Sequence, residues 1–340
     1  MLRRVVPRFA WRGLRDLALV RHARAIEPWL RAEVKRVRPD VIYERAAYLS
    51  SAGTRVAVAT KTPLILEVNA PYVEERRNLN GLGPMDGVGQ RWETDVVNAA
   101  ALVVTVSSVL RDRLVETAGV PGARVRVQPN GVDMGRFHAG VPSARVALGL
   151  PADAFVVCFV GSFIRWHRLE VLIDAVAALA DSGAPAYALL VGDGDVRGEL
   201  EARARERGVS DRIRFTGTVP FEAVPAHIQA ADVCVIPGHA WYCSPIKLFE
   251  YGGVGKAVIS LDSAPVREVA QVGRDCRTFD GSAGDLESEL RRLMLQPDVR
   301  ADLAANLHRA VAQRFTWDAA AIRIERWMAE VTDAPEAATG

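Results

Sequence analysis

Short runs of β-branched and apolar residues alternate along most of the chain with longer stretches whose apolar positions recur at helical spacing, the pattern of parallel sheets covered by helices on both faces. In the first half, "DVIYER" (40–45), "PLILEVN" (63–69), "ALVVTVS" (101–107) and "RVRVQPN" (124–130) are the predicted strands, with helical stretches around 46–60, 88–100 and 108–118. In the second half the predicted strands are "FVVCFVG" (155–161), "YALLVG" (187–192), "RIRFTG" (212–217), "DVCVIPG" (232–238) and "AVISLD" (257–262). Between the halves the periodicity fades into a segment rich in Gly and Pro, which places a boundary near 130–150. The class is α/β, as two doubly wound domains, 1–135 and 150–315, with 316–340 a C-terminal helix and tail that packs back on the first domain. Domains of this kind facing one another leave a cleft at the carboxyl ends of their strands, where ligands bind.

Composition narrows the partners. The chain has 340 residues, 49% hydrophobic and 25% charged, enough for two ordinary cores, and a net charge of +2 gives no general basic excess for nucleic acid. That average hides a basic front, because residues 1–40 carry +7 and the remainder −5. A leading helix with Trp11, Leu14, Leu17, Leu19 and Trp29 among its arginines has two readings, a peripheral contact with an anionic membrane surface or a solvated face on a helix that packs inward. No apolar run is long enough to span a bilayer and none resembles a signal peptide, so a cytoplasmic location is expected. Cys158, Cys234, Cys243 and Cys276 lack metal-site spacing, and the first two sit in apolar strand-like runs as small reduced hydrophobes. The last residues, "TDAPEAATG", read as a frayed tail.

The candidate chemistry lies at the ends of second-half strands. In "CSPIKLFEYGGVGKAVIS" (243–260), Ser244 is a favoured N-cap type, Pro245 suits the first helical position, and the amides of Ile246 and Lys247 follow at the positive end of a helix dipole, a ready place for a phosphate. Glu250 projects from the same face and can accept two ribose hydroxyls. The plainer reading is a capped surface helix with a Lys/Glu pair. In "FVGSFIRWHRLEVLIDA", a strand ends in Gly161, Ser162 and Phe163, and a turn carries His167 and Arg168, groups that can pair with a diphosphate or be ordinary polar surface. Gly192, in "VGDGD", is a third glycine turn at a strand end.

Taken in order, "VTVSSVLRDRLVETAGV", "RVRVQPNGVDMGRF", "FVGSFIRWHRLEVLIDA", "LLVGDGD", "IRFTGTVP", "DVCVIPG" and "SPIKLFEYGGVGKAVIS" resemble the retaining glycosyltransferases of family four, over roughly residues 38–330. The resemblance implies the GT-B fold of two Rossmann-like domains. It also implies transfer of a sugar, with retention and without a metal or other cofactor, from a nucleotide-sugar donor to a sugar-containing or lipid-linked acceptor or a small natural product, as in polysaccharide biosynthesis. By motif position Glu250 matches the ribose-binding glutamate, Ile246 and Lys247 the segment near the diphosphate and sugar, and Gly161, Ser162 and His167 the glycine turn and its basic position. Val219 falls where the main chain contacts the base. In the first half, "LEVNAP" makes Glu67 and Asn69 the residues facing the reacting sugar.

The sequence departs from the family pattern at two positions. Tyr242 stands eight residues before Glu250, where an acid is usual, which weakens the assignment of sugar contacts, and Arg168 stands where glycine is usual, as a substitute phosphate ligand. Family members also open with a strand and a glycine-rich loop, whereas this chain begins "MLRRVVPRFAWRGLRDLALV"; the first domain is therefore expected to be short at its N-terminus and to transfer poorly alone. The alternatives are a sugar-nucleotide epimerase of the same architecture and a degenerate donor-binding subunit that acts with a partner.

Overall fold

The computed structural model describes residues 8–333; the leading residues 1–7 of the basic segment and residues 334–340 of the expected tail lie outside the described part. The described chain divides into two compact units, one of residues 8–129 and 321–333, the other of residues 130–320.

The first unit begins with α1 (Arg8–Val37) and continues through β1 (Ile42–Arg45), α2 (Ala52–Thr60), β2 (Leu64–Val68), α3 (Tyr72–Asn80), α4 (Asp86–Ala99), β3 (Leu102–Thr105), α5 (Ser108–Ala118) and β4 (Val125–Val127). Its four strands are parallel and lie in sequence order, β1-β2-β3-β4. Ser107 starts α5 by accepting the Leu110 amide at 3.3 Å, and Gly119 ends it at φ 68°. Met328 and Val331, near the end of the last helix, pack on the Ile65, Leu102 and Val104 face of this sheet, and Arg323 donates to Gln128 at 2.7 Å.

Helix α1 is turned contrary to its apolar content. The stripe at positions 16, 20, 23, 27, 30 and 34 faces the unit, with Asp16 and Ala23 buried, while Leu14, Leu17, Leu19 and Trp29 are exposed at 55%, 52%, 41% and 61%. Asp16 is held by Arg76 of α3 at 2.5 Å, and Arg76 also stacks 4.0 Å over the Tyr48 ring. The helix thus packs inward through this stripe, with the Asp16–Arg76 ion pair as an anchor, and Leu14, Leu17, Leu19 and Trp29 lie on its solvated face.

The second unit runs through β5 (Phe155–Val160), α6 (Leu169–Asp181), β6 (Ala186–Val191), α7 (Arg197–Glu206), β7 (Ile213–Gly217), α8 (Val224–Gln229), β8 (Val233–Ile236), α9 (Ile246–Gly253), β9 (Ala257–Leu261), α10 (Ala264–Val269), β10 (Arg277–Phe279), α11 (Ala283–Leu295) and α12 (Pro297–Arg314); α13 (Trp317–Asp333) carries the chain back to the first unit. The all-parallel order β10-β9-β8-β5-β6-β7 reverses between β5 and β8. Alternate residues of β5 enter opposite cores. Val157 and Phe159 pack beneath α6 and α11, and Val156 and Cys158 beneath α8, α9 and α12, which explains why the strand reads as a continuous apolar run. All four cysteines are free thiols. Strand β10, only three residues long, was not among the predicted strands.

Close packing at the strand ends needs glycine. At Gly192, φ is +134° and a Cβ would stand 2.1 Å from the Gly161 carbonyl oxygen, whereas Gly198 in α7 has open space around it. Gly192→Ala is expected to cost about 2 kcal/mol or more of unfolding free energy and Gly198→Ala to add about 0.5 kcal/mol, read by urea denaturation. A Gly192→Ala protein as stable as the parent would contradict the packing described for this rim.

Candidate functional site

The reversal of strand order between β5 and β8 puts the glycine turn after β5, the loop after β8 and the start of α9 side by side at the carboxyl edge of the sheet, the usual ligand position in such a sheet. The turn is built from the backbone outward. Gly161 takes φ +145°, its amide donates to the Val191 carbonyl at 2.9 Å, and a Cβ there would meet Lys247 Cε at 2.8 Å. Phe163 is fully buried, edge-on to Phe215 at 6.2 Å between ring centres, and its amide donates to the Asp193 carbonyl at 2.8 Å. Its side chain therefore anchors the turn from below. Gly192 lies against Gly161, and Ser162 is exposed.

Across this turn lies Lys247. Its Nζ donates to His167 Nε2 at 3.3 Å and stands 5.4 Å from the centre of the Phe159 ring. His167 Nδ1–H donates to the Ser162 carbonyl at 2.6 Å, which fixes the tautomer and leaves Nε2 as the acceptor. Burial, with Lys247 beside it, pushes the His167 pKa down to about 4, so the imidazole is neutral at pH 7. Burial also lowers the pKa of Lys247, partly offset by the carboxylate of Glu250. Among the described residues no carboxylate stands within ion-pair distance of Lys247. The Glu250 carboxyl is itself pushed up to about 7, chiefly by burial, with Lys247 opposing.

The start of α9 needs one correction. Ser244 does not cap the helix, because its hydroxyl accepts the Asn130 amide at 3.0 Å; Pro245 occupies the cap position, and the Ile246 amide is taken by the Ser244 carbonyl at 2.9 Å. The hydroxyl thus ties the start of α9 to a segment 114 residues earlier, a contact that local spacing cannot reveal. Arg168 is likewise drawn aside. It adopts the left-handed conformation at φ 52°, and its guanidinium donates to the Gly281 carbonyl at 2.8 Å, at the far end of β10. The geometry places Lys247 over the turn and makes neutral His167 its support.

Tyr242 is buried edge-on against Trp241, 5.4 Å between ring centres, and Val219 is half-buried two residues beyond β7. His239 and Ser263 were not singled out in the sequence. His239 follows the β8 glycine, its Nδ1–H donates to the Ala240 carbonyl at 3.0 Å, and its Nε2 accepts the Ser263 hydroxyl at 3.0 Å. The signal available for them is position, since they follow the carboxyl ends of the neighbouring strands β8 and β9. Among the described residues no group of three or more His, Cys, Asp or Glu side chains is placed to hold a metal.

Glu67 and Asn69 belong to the first unit, at the carboxyl end of β2. The Glu67 carboxylate accepts from Tyr43 Oη at 2.8 Å, Arg45 Nε at 2.9 Å and Asn69 Nδ2 at 2.8 Å, so it serves as a hub that orients its neighbours. The Asn69 Oδ1 atom is buried and accepts no hydrogen bond among the described residues.

Comparison with known proteins gives this geometry a context. A family model described as Glycosyltransferase Family 4 matches residues 2–136, and one described as Glycosyl transferases group 1 matches residues 154–296. A D-inositol 3-phosphate glycosyltransferase of Acidothermus cellulolyticus is 30% identical over 313 residues, which cover 85% of this chain and 67% of that protein. The 2-deoxystreptamine glucosyltransferase of Streptomyces kanamyceticus is 30% identical over 227 residues, 61% of this chain and 58% of that protein. The chain spans little more than half the length of several of the curated relatives it matches. Among solved structures, Anabaena HepE in complex with UDP has a TM-score of 0.77 at 21% identity, covering 88% of this chain and 82% of HepE. Sucrose-phosphate synthase from Thermosynechococcus elongatus has a TM-score of 0.76 at 20% identity, covering 93% and 80%. These likenesses show the fold, two parallel-sheet Rossmann-like units as in GT-B proteins. With both family models matched in order and a relative aligned over most of the chain, the protein belongs to the group 1, family 4 glycosyltransferases.

Proposed function

We propose that this protein transfers a sugar from a uridine diphosphate sugar to a hydroxyl of a sugar-containing or lipid-linked acceptor, with retention of anomeric configuration and without a metal. The observation that carries the reading is Lys247, an ammonium of lowered pKa held over the Gly161 turn by a neutral imidazole, with no carboxylate within ion-pair distance among the described residues. A buried charge in that state is costly, and an anion of fixed position offsets the cost. Uridine diphosphate is named as the donor's leaving group because HepE binds UDP at a comparable fold. The matched family models are those of transferases, which favours transfer over epimerisation.

In this account Lys247 receives the charge that grows on the leaving diphosphate as the glycosidic bond breaks, while the Gly161 and Ser162 backbone lets the phosphates approach. Glu250 takes the ribose hydroxyls, main-chain groups at Val219 meet the base, and Ile246 with Tyr242 borders the sugar. On the first unit, Glu67 and Asn69 serve the acceptor side of the reaction, with Glu67 as the hub that orients Asn69. Cytoplasmic residence belongs to the same proposal. Among the described residues no helix is long and apolar enough to cross a membrane.

Glu250 supplies a pH test with a definite sign. Two ribose hydroxyls stabilise its carboxylate, so nucleotide binding lowers a pKa that stands at about 7 in the free protein. Binding therefore expels a proton below that pH. The affinity of wild type relative to Glu250→Gln is expected to rise from pH 5.5 to 7.5 and then level, the ratio cancelling the titration of the phosphate itself. A ratio that is flat with pH would remove Glu250 from the ribose.

Lys247→Met is expected to raise the unfolding free energy of the unliganded protein by about 1 kcal/mol, because a half-buried cation that makes no ion pair among the described residues is replaced by an apolar chain. The same variant is expected to lose about a hundredfold in turnover with the correct donor and acceptor. Unchanged turnover would place the phosphate site elsewhere.

A further inference from the structure

The first unit contains a cavity of about 660 Å³ between α1, α2 and α4, outside every residue assigned above. Its walls are largely hydrocarbon, including Val20, Ala23, Leu49 and Val96. Trp92 joins them with its single polar atom already used, since the indole N–H donates to the Ser50 carbonyl at 3.0 Å. At the rim, Val58 and Val88 are lining residues that remain 63% and 42% exposed. An opening fringed by exposed valines costs free energy while it faces water.

The charged lining is unbalanced. Arg24, Arg31, Arg55 and Arg91 line the cavity against two carboxylates, Glu27 and Asp95, and Glu27 is shared between Arg55, 2.9 Å from its Oε2, and Arg31, 3.3 Å from its Oε1. A second cavity, of about 500 Å³, adjoins the first through Arg24, Glu27 and Arg31 and adds Lys35. Along α1 the molecule therefore presents an apolar chamber followed by a cationic one. A nucleotide or a free saccharide would leave the hydrocarbon walls unmatched, and a neutral hydrocarbon would leave the arginines unmatched.

We propose that this pair of cavities binds one molecule of an anionic amphiphile, a single long alkyl or isoprenoid chain with a phosphate head. The chain lies against Trp92, Ala23 and Val96, and the head meets Arg24, Arg31 and Lys35. The volume of the first cavity falls within the range of about 300–1,000 Å³ common to small-molecule sites. The site is formed within the first unit and does not depend on the donor reading, so either can fail without the other.

The test is calorimetry on the full chain with dodecyl phosphate below its micelle concentration, beside octyl phosphate, inorganic phosphate, dodecyl maltoside and phosphatidylglycerol vesicles. The expected result is saturable one-to-one binding of dodecyl phosphate, at least about tenfold weaker for octyl phosphate because buried methylenes are lost, with none for inorganic phosphate. The double variant Arg24→Glu/Arg91→Glu and the cavity-filling Ala59→Trp both change exposed lining positions. Each is expected to weaken dodecyl phosphate binding at least tenfold while the unliganded melting temperature stays within a few degrees. If one variant unfolds, the other decides. Absence of one-to-one binding, equal binding by both variants, binding of dodecyl maltoside as tight as that of dodecyl phosphate, or binding to vesicles alone would each overturn the proposal, the last in favour of a simple surface contact.

Discussion

The arrangement at the second sheet depends on one desolvated charge. Lys247 can lie where it does because Gly161 has no side chain and His167 offers a lone pair instead of a second proton. The tautomer of His167 is set by the Ser162 carbonyl, the turn that carries Ser162 is anchored by Phe163 in the core, and Gly192 admits the neighbouring strand end against Gly161. Each contact is ordinary. Together they hold an ammonium in a place where water solvates it poorly, and the free energy so stored favours the arrival of an anion.

Topology explains why this happens at that point of the chain. Strand order reverses between β5 and β8, so the loops leaving these two strands diverge and open a crevice that α9 enters with its N-terminus. Glu250 lies one turn further along α9, raised in pKa by the same burial that lowers Lys247. The two groups oppose each other's shifts without forming an ion pair, and in the proposed function each takes its own part of the ligand, one anionic and one hydroxylic.

Much of this was legible in the primary structure. The strands emerged from apolar runs because parallel strands buried on both faces carry little polar alternation, and the glycine turns emerged because only glycine fits where backbone meets backbone. What stayed hidden depends on distance in sequence. The Ser244 hydroxyl is claimed by Asn130, Arg168 by Gly281, and the His239 ring by Ser263, none of which local spacing encodes. The protonation state of His167 was hidden for a related reason, since it follows from burial and from a lysine 80 positions away. Composition alone left the inward face of α1 undecided, because its apolar residues are spread around the helix and the buried Asp16 finds its partner in Arg76, 60 positions away.

The central claim is that Lys247 recognises the distal phosphate of the donor, and truncating the ligand tests it most directly. Calorimetric affinities of uridine, uridine monophosphate and uridine diphosphate would be compared for wild type and Lys247→Met. The account predicts that the wild type gains at least about tenfold from the second phosphate, in keeping with one charge-assisted contact, and that Lys247→Met loses this gain while binding uridine as before. An equal gain from the second phosphate in both proteins would contradict it.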